Sequence, residues 1–389
     1  MAAAGGALGP VDRLGALLAG IGALAFLGLP FVVAKPNRIL PGDALSLAAA
    51  LPGWQAVACA ALLAAVAVVA VGVREPRPRL AAALAGIAAV ALCAAAAGDA
   101  LTPPGNHVVR IAPGAGCWLL LVSLGVLAAD ALAKERPGPA ARIAFLAAVA
   151  GVAALAFAHG TFDHLSVMRE YAANAARFAA ALRRHVLLAL GSLVAAVAVA
   201  VPLGILCHRR PRLRAGVLAT LNLVQTIPAV ALFGILMVPL GALAAAVPLA
   251  AALGIAGIGA APAVVALFLY SLLPVVANTV VGLARVAPAA VEAARGMGMT
   301  RAQVLRGIEL PLALPVILTG IRIVLVQNIG LVTIAALIGG GGLGAFVFQG
   351  IGQTAIDLVL LGAIPTVALA FAGAVLLDAL IETLERNRQ

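Results

Sequence analysis

The chain has 389 residues, of which 64% are hydrophobic and 10% charged, with a mean hydropathy of +1.17. Soluble domains carry about 25% charged residues, so this composition excludes a water-soluble surface and indicates an integral membrane protein. Aromatic residues make up 4%, too few for the girdles of a transmembrane β-barrel. The net charge of +11 comes almost wholly from arginine. The lysines are Lys35 and Lys134, and each follows an alanine. A P-loop needs Gly-Lys followed by Ser or Thr, so the chain carries no motif for burning ATP itself. Arginines fall in short clusters between apolar runs, which fits membrane orientation and not a nucleic-acid groove. Cys59, Cys93, Cys117 and Cys207 lie in apolar stretches without CxxC spacing. They signal no zinc or redox site.

A membrane-crossing helix takes ~20 mostly apolar residues. In chain order, the candidate runs are 14–34, 54–73, 80–97, 111–133, 143–160, 186–207, 216–239, 261–283, 312–338 and 356–381. The first reads as an uncleaved span, because its flank offers only Arg13 beside Asp12. Segment 240–260 is apolar too, but Pro248 and glycines interrupt it; it reads as an outer loop or a re-entrant piece. With the N-terminus inside, the inner segments collect Arg13, then Arg74, Arg77 and Arg79, then Lys134, Arg136 and Arg142, then Arg209–Arg214, then Arg285, Arg295, Arg301 and Arg306, and finally Arg386 and Arg388. The outer segments hold fewer: Lys35, Arg38, Arg110, Arg169, Arg177, Arg183 and Arg184. Cytoplasmic loops retain Lys and Arg. The expected fold is therefore all-α and polytopic, with about ten transmembrane helices, N-in/C-in.

Three regions follow. Residues 1–160 form an accessory region of about five alanine-rich spans. Residues 161–185 read as an amphipathic linker helix on the outer face, with docking as the alternative role. Residues 186–389 form a five-span core that carries the intramembrane polarity. Gln225 and Thr226 fall in the seventh span with Asn222; Tyr270, Asn278 and Thr279 in the eighth; Arg322, Gln327, Asn328 and Thr333 in the ninth. Polar groups in lipid are costly and face a bundle interior or a watery path, and Pro228, Pro274 and Pro315 can kink these helices. Two readings stand for each: a translocation path, or hydrogen-bonded fastening between helices.

The inner loop 285–311 reads RVAPAAVEAARGMGMTRAQVLRGIELP. Pro288 suits the first turn of a helix, and Gly296 and Gly298 interrupt it. Thr300 with Gln303 forms a capping box that opens a second helix. Pro311 stops that helix or starts the next span. The spacing thus predicts a surface pair of helices suited to a partner's groove: a cytoplasmic coupling helix pair.

Glu292-Ala293-Ala294, Gly298 after three residues, and Ile308-Glu309-Leu310-Pro311 after nine more match the EAA signature. The chain therefore resembles permease subunits of bacterial ABC importers. Val224-Gln225-Thr226-Ile227-Pro228, Gly296-Met297-Gly298-Met299-Thr300, Gly320-Ile321-Arg322 and Ile338–Gly344 look like the glycine betaine/choline/osmoprotectant branch. The extra N-terminal spans resemble its longer, YehY-like subgroup. The likeness covers about 184–389.

The resemblance implies a multi-pass protein of the bacterial inner membrane that moves an osmoprotectant such as glycine betaine, or a choline- or proline-type compound, by alternating access. It implies no enzyme activity and no cofactor in this chain, with ATP-Mg on a partner subunit. The implied partners are a cytoplasmic ABC ATPase, an extracytoplasmic solute-binding protein and a second copy or sister permease, with no nucleic acid. By position, Glu292, Ala293, Ala294 and Gly298 would meet the ATPase, with Arg295, Thr300, Arg301, Ile308, Leu310 and Pro311 completing the loop. The Gly339–Gly344 run reads as a flexible outer turn near a docked binding protein, or as a plain hairpin turn.

Clustered aromatics recognise quaternary ammonium groups. Here Tyr270 is the evident candidate; Phe233, Phe268, Phe346 and Phe348 are scattered. This fits affinity supplied by the external binding protein. The alternative, an ion-coupled secondary transporter, would want acidic residues at mid-membrane, whereas Asp130, Asp357 and Asp378 read as near span ends. A membrane enzyme is disfavoured, because His107, His159, His164, His185 and His208 show no HExxH spacing and no GxSxG occurs.

Overall fold

In the computed structural model, residues 12–37, 40–106 and 108–386 are described. Arg38, His107 and Arg388, which entered the charge and histidine readings, lie outside the described residues. The helices are α1 (Arg13–Gly28), α2 (Leu47–Ala50), α3 (Gly53–Gly72), α4 (Pro76–Leu101), α5 (Ala115–Glu135), α6 (Pro139–Ala158), α7 (Ser166–Arg209), α8 (Pro211–Thr226), α9 (Ala229–Ala246), α10 (Pro248–Ala252), α11 (Ala260–Ala284), α12 (Pro288–Gly296), α13 (Arg301–Val304), α14 (Leu310–Ala335), α15 (Gly344–Gly352) and α16 (Ile356–Arg386). Among the described residues, nine helical runs are long and apolar enough to cross a membrane, and α1 is a shorter apolar helix. The chain divides into two compact units. One holds residues 1–138 and 147–173, the other 139–146 and 174–389.

In the first unit, α1, α3, α4 and α5 pack as a bundle around Leu18, Ala25, Val66, Val90, Leu120 and Leu127. The sequence carried the first span to residue 34. The helix ends at Gly28 instead, because Pro30 cannot donate to a continuing helix. The next residues form strand β1 (Val32–Lys35), whose valines suit a pleated surface. It pairs antiparallel with β2 (Asp43–Leu45) and β3 (Arg110–Pro113), with Val32 opposite Leu45 and Pro113. This three-stranded sheet is a small addition to a helical fold, and β3 moves the start of the fourth span to Ala115. The short third and fifth runs are longer than read, at 26 residues in α4 and 20 in α6. An ionic cluster fastens one end of the bundle. Arg79, 0% exposed, grips Asp12 at 2.9 and 3.2 Å and approaches Asp130 at 3.4 Å, while Lys134 bonds Asp130 at 2.8 Å. The Arg79 guanidinium and the Gly15 amide hold the Asp12 carboxyl down at about 2.

In the second unit, α11 packs on α14, α14 on α16, and α15 on α16. Leu267, Val275, Val276, Val324 and Val332 form the core. Three span readings are corrected. The linker 161–185 is not one self-contained helix; α7 comprises two helices that meet at a kink at Asn174 (φ −125°, ψ 17°), one from Ser166 up to the kink and one from the kink to Arg209. No proline stands between Asn174 and Pro202, and alanine favours the helix. The seventh span, read as 216–239, breaks at Ile227 and Pro228. Proline pushes its predecessor out of the helical region, and Ile227 sits at ψ 127°. Only α9 is then long and apolar enough to cross, so Gln225 and Thr226 lie on α8, outside that span. Segment 240–260 contains the end of α9, α10 and a return through Gly254 and Gly259, both at positive φ.

The ninth span starts earlier than read. A π turn, Leu305–Glu309, joins α13 to α14, so one helical run extends over Arg301–Ile338. Pro311 does not stop the run; it stands in the first turn of α14, in keeping with the reading that it starts the next span. Its missing N–H falls in the first turn of α14, where the π turn reroutes the bonding. At 1.5 Å per residue this run is about 57 Å long, against ~30 Å for the hydrocarbon layer, so it reaches beyond the bilayer.

Candidate functional site

The loop 285–311 is built as a stiff pair of short helices. Pro288 stands in the first turn of α12. The helix ends in a Schellman arrangement: Met299 N donates to Ala294 O at 3.2 Å, and Gly298 N to Arg295 O at 2.9 Å. Gly298 adopts φ +85°, the left-handed region that glycine enters without a Cβ penalty, and a Cβ there would meet nothing within 4 Å. Thr300 then caps α13. Its hydroxyl accepts from Gln303 N at 3.3 Å, and Gln303 Oε1 accepts from Thr300 N at 2.8 Å. Val304 is buried, Ile308, Leu310 and Pro311 are half-buried, and Leu305 and Leu310 pack against Leu283, Ala313 and Ile317. Glu309 accepts from Arg209 at the end of α7 at 3.2 Å.

Exposure sorts the loop residues. Glu292, Ala293, Arg295, Gly298, Thr300 and Arg301 face outward, while Ala294 is 1% exposed. Ala294 therefore packs α12 onto the rest of the loop and offers no surface to a partner, a correction to its expected contact role. Met299, Ala302, Gln303, Arg306 and Gly307 line a shallow groove beside it.

The polar residues of the core do not converge on one site. Gln225 Nε2 donates to Tyr270 O at 2.7 Å, and Tyr270 Oη donates to Ile227 O at 2.5 Å, so both hold the break between α8 and α9. Tyr270 is buried in packing and does not line an open passage. Thr226, Asn278 and Thr279 bond back to Leu223 O, Pro274 O and Val275 O of their own helices. Asn278 stands where Gly320 lets α14 approach α11; a Cβ on Gly320 would lie 2.8 Å from its Cβ. Asn328, fully buried, donates to Ser192 Oγ and Ser271 Oγ at 3.0 Å each and ties α7, α11 and α14 together. Arg322 of α14 pairs with Asp378 of α16. Gln327 is half-buried. Thr333 Oγ1 is buried without a hydrogen-bond partner.

Sequence reading gave no site role to Ser192, Ser271, Asp378 or His185. The last two carried no motif, but His185 and Ser192 are seven apart on an apolar helix and so share a face, a usable signal. His185 accepts from Leu343 N through Nδ1 at 3.2 Å, which leaves Nε2 to donate to Ile329 O at 2.9 Å. Arg184 Nε donates to Gly340 O at 2.6 Å, and Arg177 lies 4.9 Å above the Phe346 ring. The Gly339–Gly344 run is thus a turn clamped by α7. Its residues Gly339, Gly341 and Gly342 are all at positive φ.

Two family models match the chain. Residues 12–168 match the N-terminal domain of the ABC transporter permease YehY, and residues 200–389 match the binding-protein-dependent transport system inner membrane component. The osmoprotectant import permease protein OsmW of Salmonella typhimurium is 43% identical over 54% of this chain and 92% of its own length. The choline transport system permease protein OpuBD of Bacillus subtilis is 40% identical over 56% of this chain and 88% of its own length. The carnitine transport permease protein OpuCD of Listeria monocytogenes is 41% identical over 52% and 83%. A solved inward-facing MetNI methionine ABC transporter aligns with a TM-score of 0.44 at 22% identity, over 53% of this chain and 95% of that one. With its nine long apolar helical runs and an alignment at 43% identity spanning nearly all of a permease subunit, the chain belongs to the multi-pass inner-membrane permeases of binding-protein-dependent ABC transport systems.

Proposed function

We propose that this permease carries a small osmoprotectant of the betaine, choline or carnitine class inward by alternating access, N-in/C-in, with the loop 285–311 seated on a cytoplasmic ATPase. Family members are permeases and not enzymes; ATP is hydrolysed on a separate subunit. ATP-Mg would accordingly bind that subunit, and this chain would need no cofactor. A solute-binding protein would deliver the solute from outside, and a second copy or a sister permease would complete the passage. The substrate class rests on the relatives named OsmW, OpuBD and OpuCD.

The observation that carries the coupling role is continuity. The loop's second helix runs without a break into α14, so a displacement of the loop is a displacement of the helix that holds Asn328 and Arg322. Glu292, Arg295 and Arg301 offer exposed charges to a partner, and Gly298 allows its backbone to come close. The path would follow α9, α11 and α14 past Gln327 and Thr333, with Asn328, Asn278, Thr279 and the Gln225–Tyr270 pair acting as fasteners. An ion-coupled mechanism is less supported, because Asp378 is engaged with Arg322. Reconstitution of the permease with its ATPase and binding protein tests the coupling role. Glu292→Lys or Gly298→Trp should leave membrane insertion intact while uptake per ATP hydrolysed collapses; unchanged coupling refutes the role.

A further inference from the structure

The first unit contains a cleft between α1, α3 and α5 that the transport reading does not use. Its volume is about 260 Å³, and Gly22, Ala23, Ala64, Ala67, Leu120 and Leu124 stand on its walls. The cleft follows from how α1 is seated. At one end, Gly15 brings α1 onto α3, and a Cβ there would lie 1.9 Å from Ala70 O. At the other end, Gly116 brings α5 onto α1, where a Cβ would lie 2.7 Å from Ala25 O. Midway, a Cβ on Gly22 would meet only Leu120 Cδ2, at 3.8 Å. α1 is thus pressed down at both ends and stands off in the middle, where small residues leave the gap unfilled.

The walls say what can enter. Their one polar side chain, Ser123, already donates to Leu119 O at 2.8 Å, so nothing there receives water or a polar ligand. Apolar cavities of about 150 Å³ stay dry and take apolar guests, and this one is larger. Its α3 lining, Ala60–Ala70, is the middle of a 20-residue span, at hydrocarbon depth. The guest is therefore a hydrocarbon chain. Charge selects its headgroup. α1 and α3 meet through Asp12 N and Val71 O at 3.2 Å, and exposed Arg13 and Arg74 lie at this same end. Arginine grips phosphate through its planar fork of donors.

We propose that this cleft binds an anionic phospholipid of the bilayer, one acyl chain between α1, α3 and α5 and the phosphate at Arg13 and Arg74. The test is native mass spectrometry of the full chain released from nanodiscs of phosphatidylglycerol and phosphatidylethanolamine. The wild type should retain phosphatidylglycerol through detergent exchange. The filled variant G22L/A67L should retain several-fold less, and R13Q/R74Q should retain lipid without preferring phosphatidylglycerol. Equal retention by wild type and G22L/A67L overturns the site, and an unchanged preference in R13Q/R74Q overturns the headgroup assignment. Should the filled variant fail to fold, photocrosslinking the wild type with a photoactivatable phosphatidylglycerol decides. Adducts concentrated on residues 18–27 and 60–70 support the site, and adducts spread evenly over the helices refute it.

Discussion

Asn328 gives the sharpest energetic prediction, because its partners behave differently when it is lost. Replacing Asn328 by leucine keeps the volume and removes two donated bonds, to Ser192 and Ser271. Interhelical hydrogen bonds in membranes average ~0.6 kcal/mol, so the loss is about 1 kcal/mol. The two serines are not stranded, since Ser192 Oγ already donates to Leu188 O at 2.7 Å and Ser271 Oγ to Leu267 O at 2.6 Å. The converse change, Ser192→Ala with Ser271→Ala, leaves the amide of a fully buried Asn328 without those partners. Two N–H donors then lose their partners, and an unsatisfied buried group costs about 1–3 kcal/mol, so the double variant should lose at least about 2 kcal/mol. Equilibrium unfolding of the purified permease in bicelles measures both. If Asn328→Leu proves as destabilising as the double serine variant, the fastening argument is refuted. Uptake adds a second reading: a fastener replaced by leucine should leave transport near wild type, whereas a path residue should not.

Three further outcomes follow from the same geometry. Gly298→Ala places a Cβ in the left-handed region at a cost of about 1–2 kcal/mol but meets no neighbour. It should insert normally and lower transport-coupled ATP hydrolysis, measured in proteoliposomes. Gly344→Ala would put a Cβ 2.0 Å from Thr333 O, so it should fail to accumulate in the membrane, whereas Gly191→Ala, with open space, should accumulate normally. Asp12 has its carboxyl held at about 2, below its ordinary 3.8, by Arg79. A depressed folded value means stability that is complete above the ordinary value and is lost as pH falls through about 2. Asp12→Asn should therefore destabilise the first unit by on the order of 1 kcal/mol at pH 7 and have little effect near pH 2, read by thermal unfolding.

Much of the fold was legible because lipid leaves the backbone few choices: only a helix satisfies its own polar groups across a single span, so apolar runs read directly as helices. The loop 285–311 was legible for another reason. Thr300, Gln303, Gly298 and Pro288 have local conformational preferences, and these do not depend on distant packing. What failed were places where a local rule competed with hydropathy. Pro228 broke a run that hydropathy joined, and the π turn Leu305–Glu309 joined helices that a proline rule separated. Pro30 and the valines after it turned the end of the first run into a strand. The polar core was half legible. Asn328 stood out as a costly residue, but its partners Ser192 and Ser271 are unremarkable in apolar helices, and only the three-helix packing reveals them. Arg322 likewise gained its meaning from Asp378, which lies 56 residues away.

The account depends most on where the loop faces. A single cysteine at exposed Ala302, with Cys59, Cys93, Cys117 and Cys207 replaced, can be probed with a membrane-impermeant maleimide in vesicles of both orientations. Labelling confined to inside-out vesicles, and blocked when the ATPase is bound, is the predicted result. Labelling in right-side-out vesicles would contradict it.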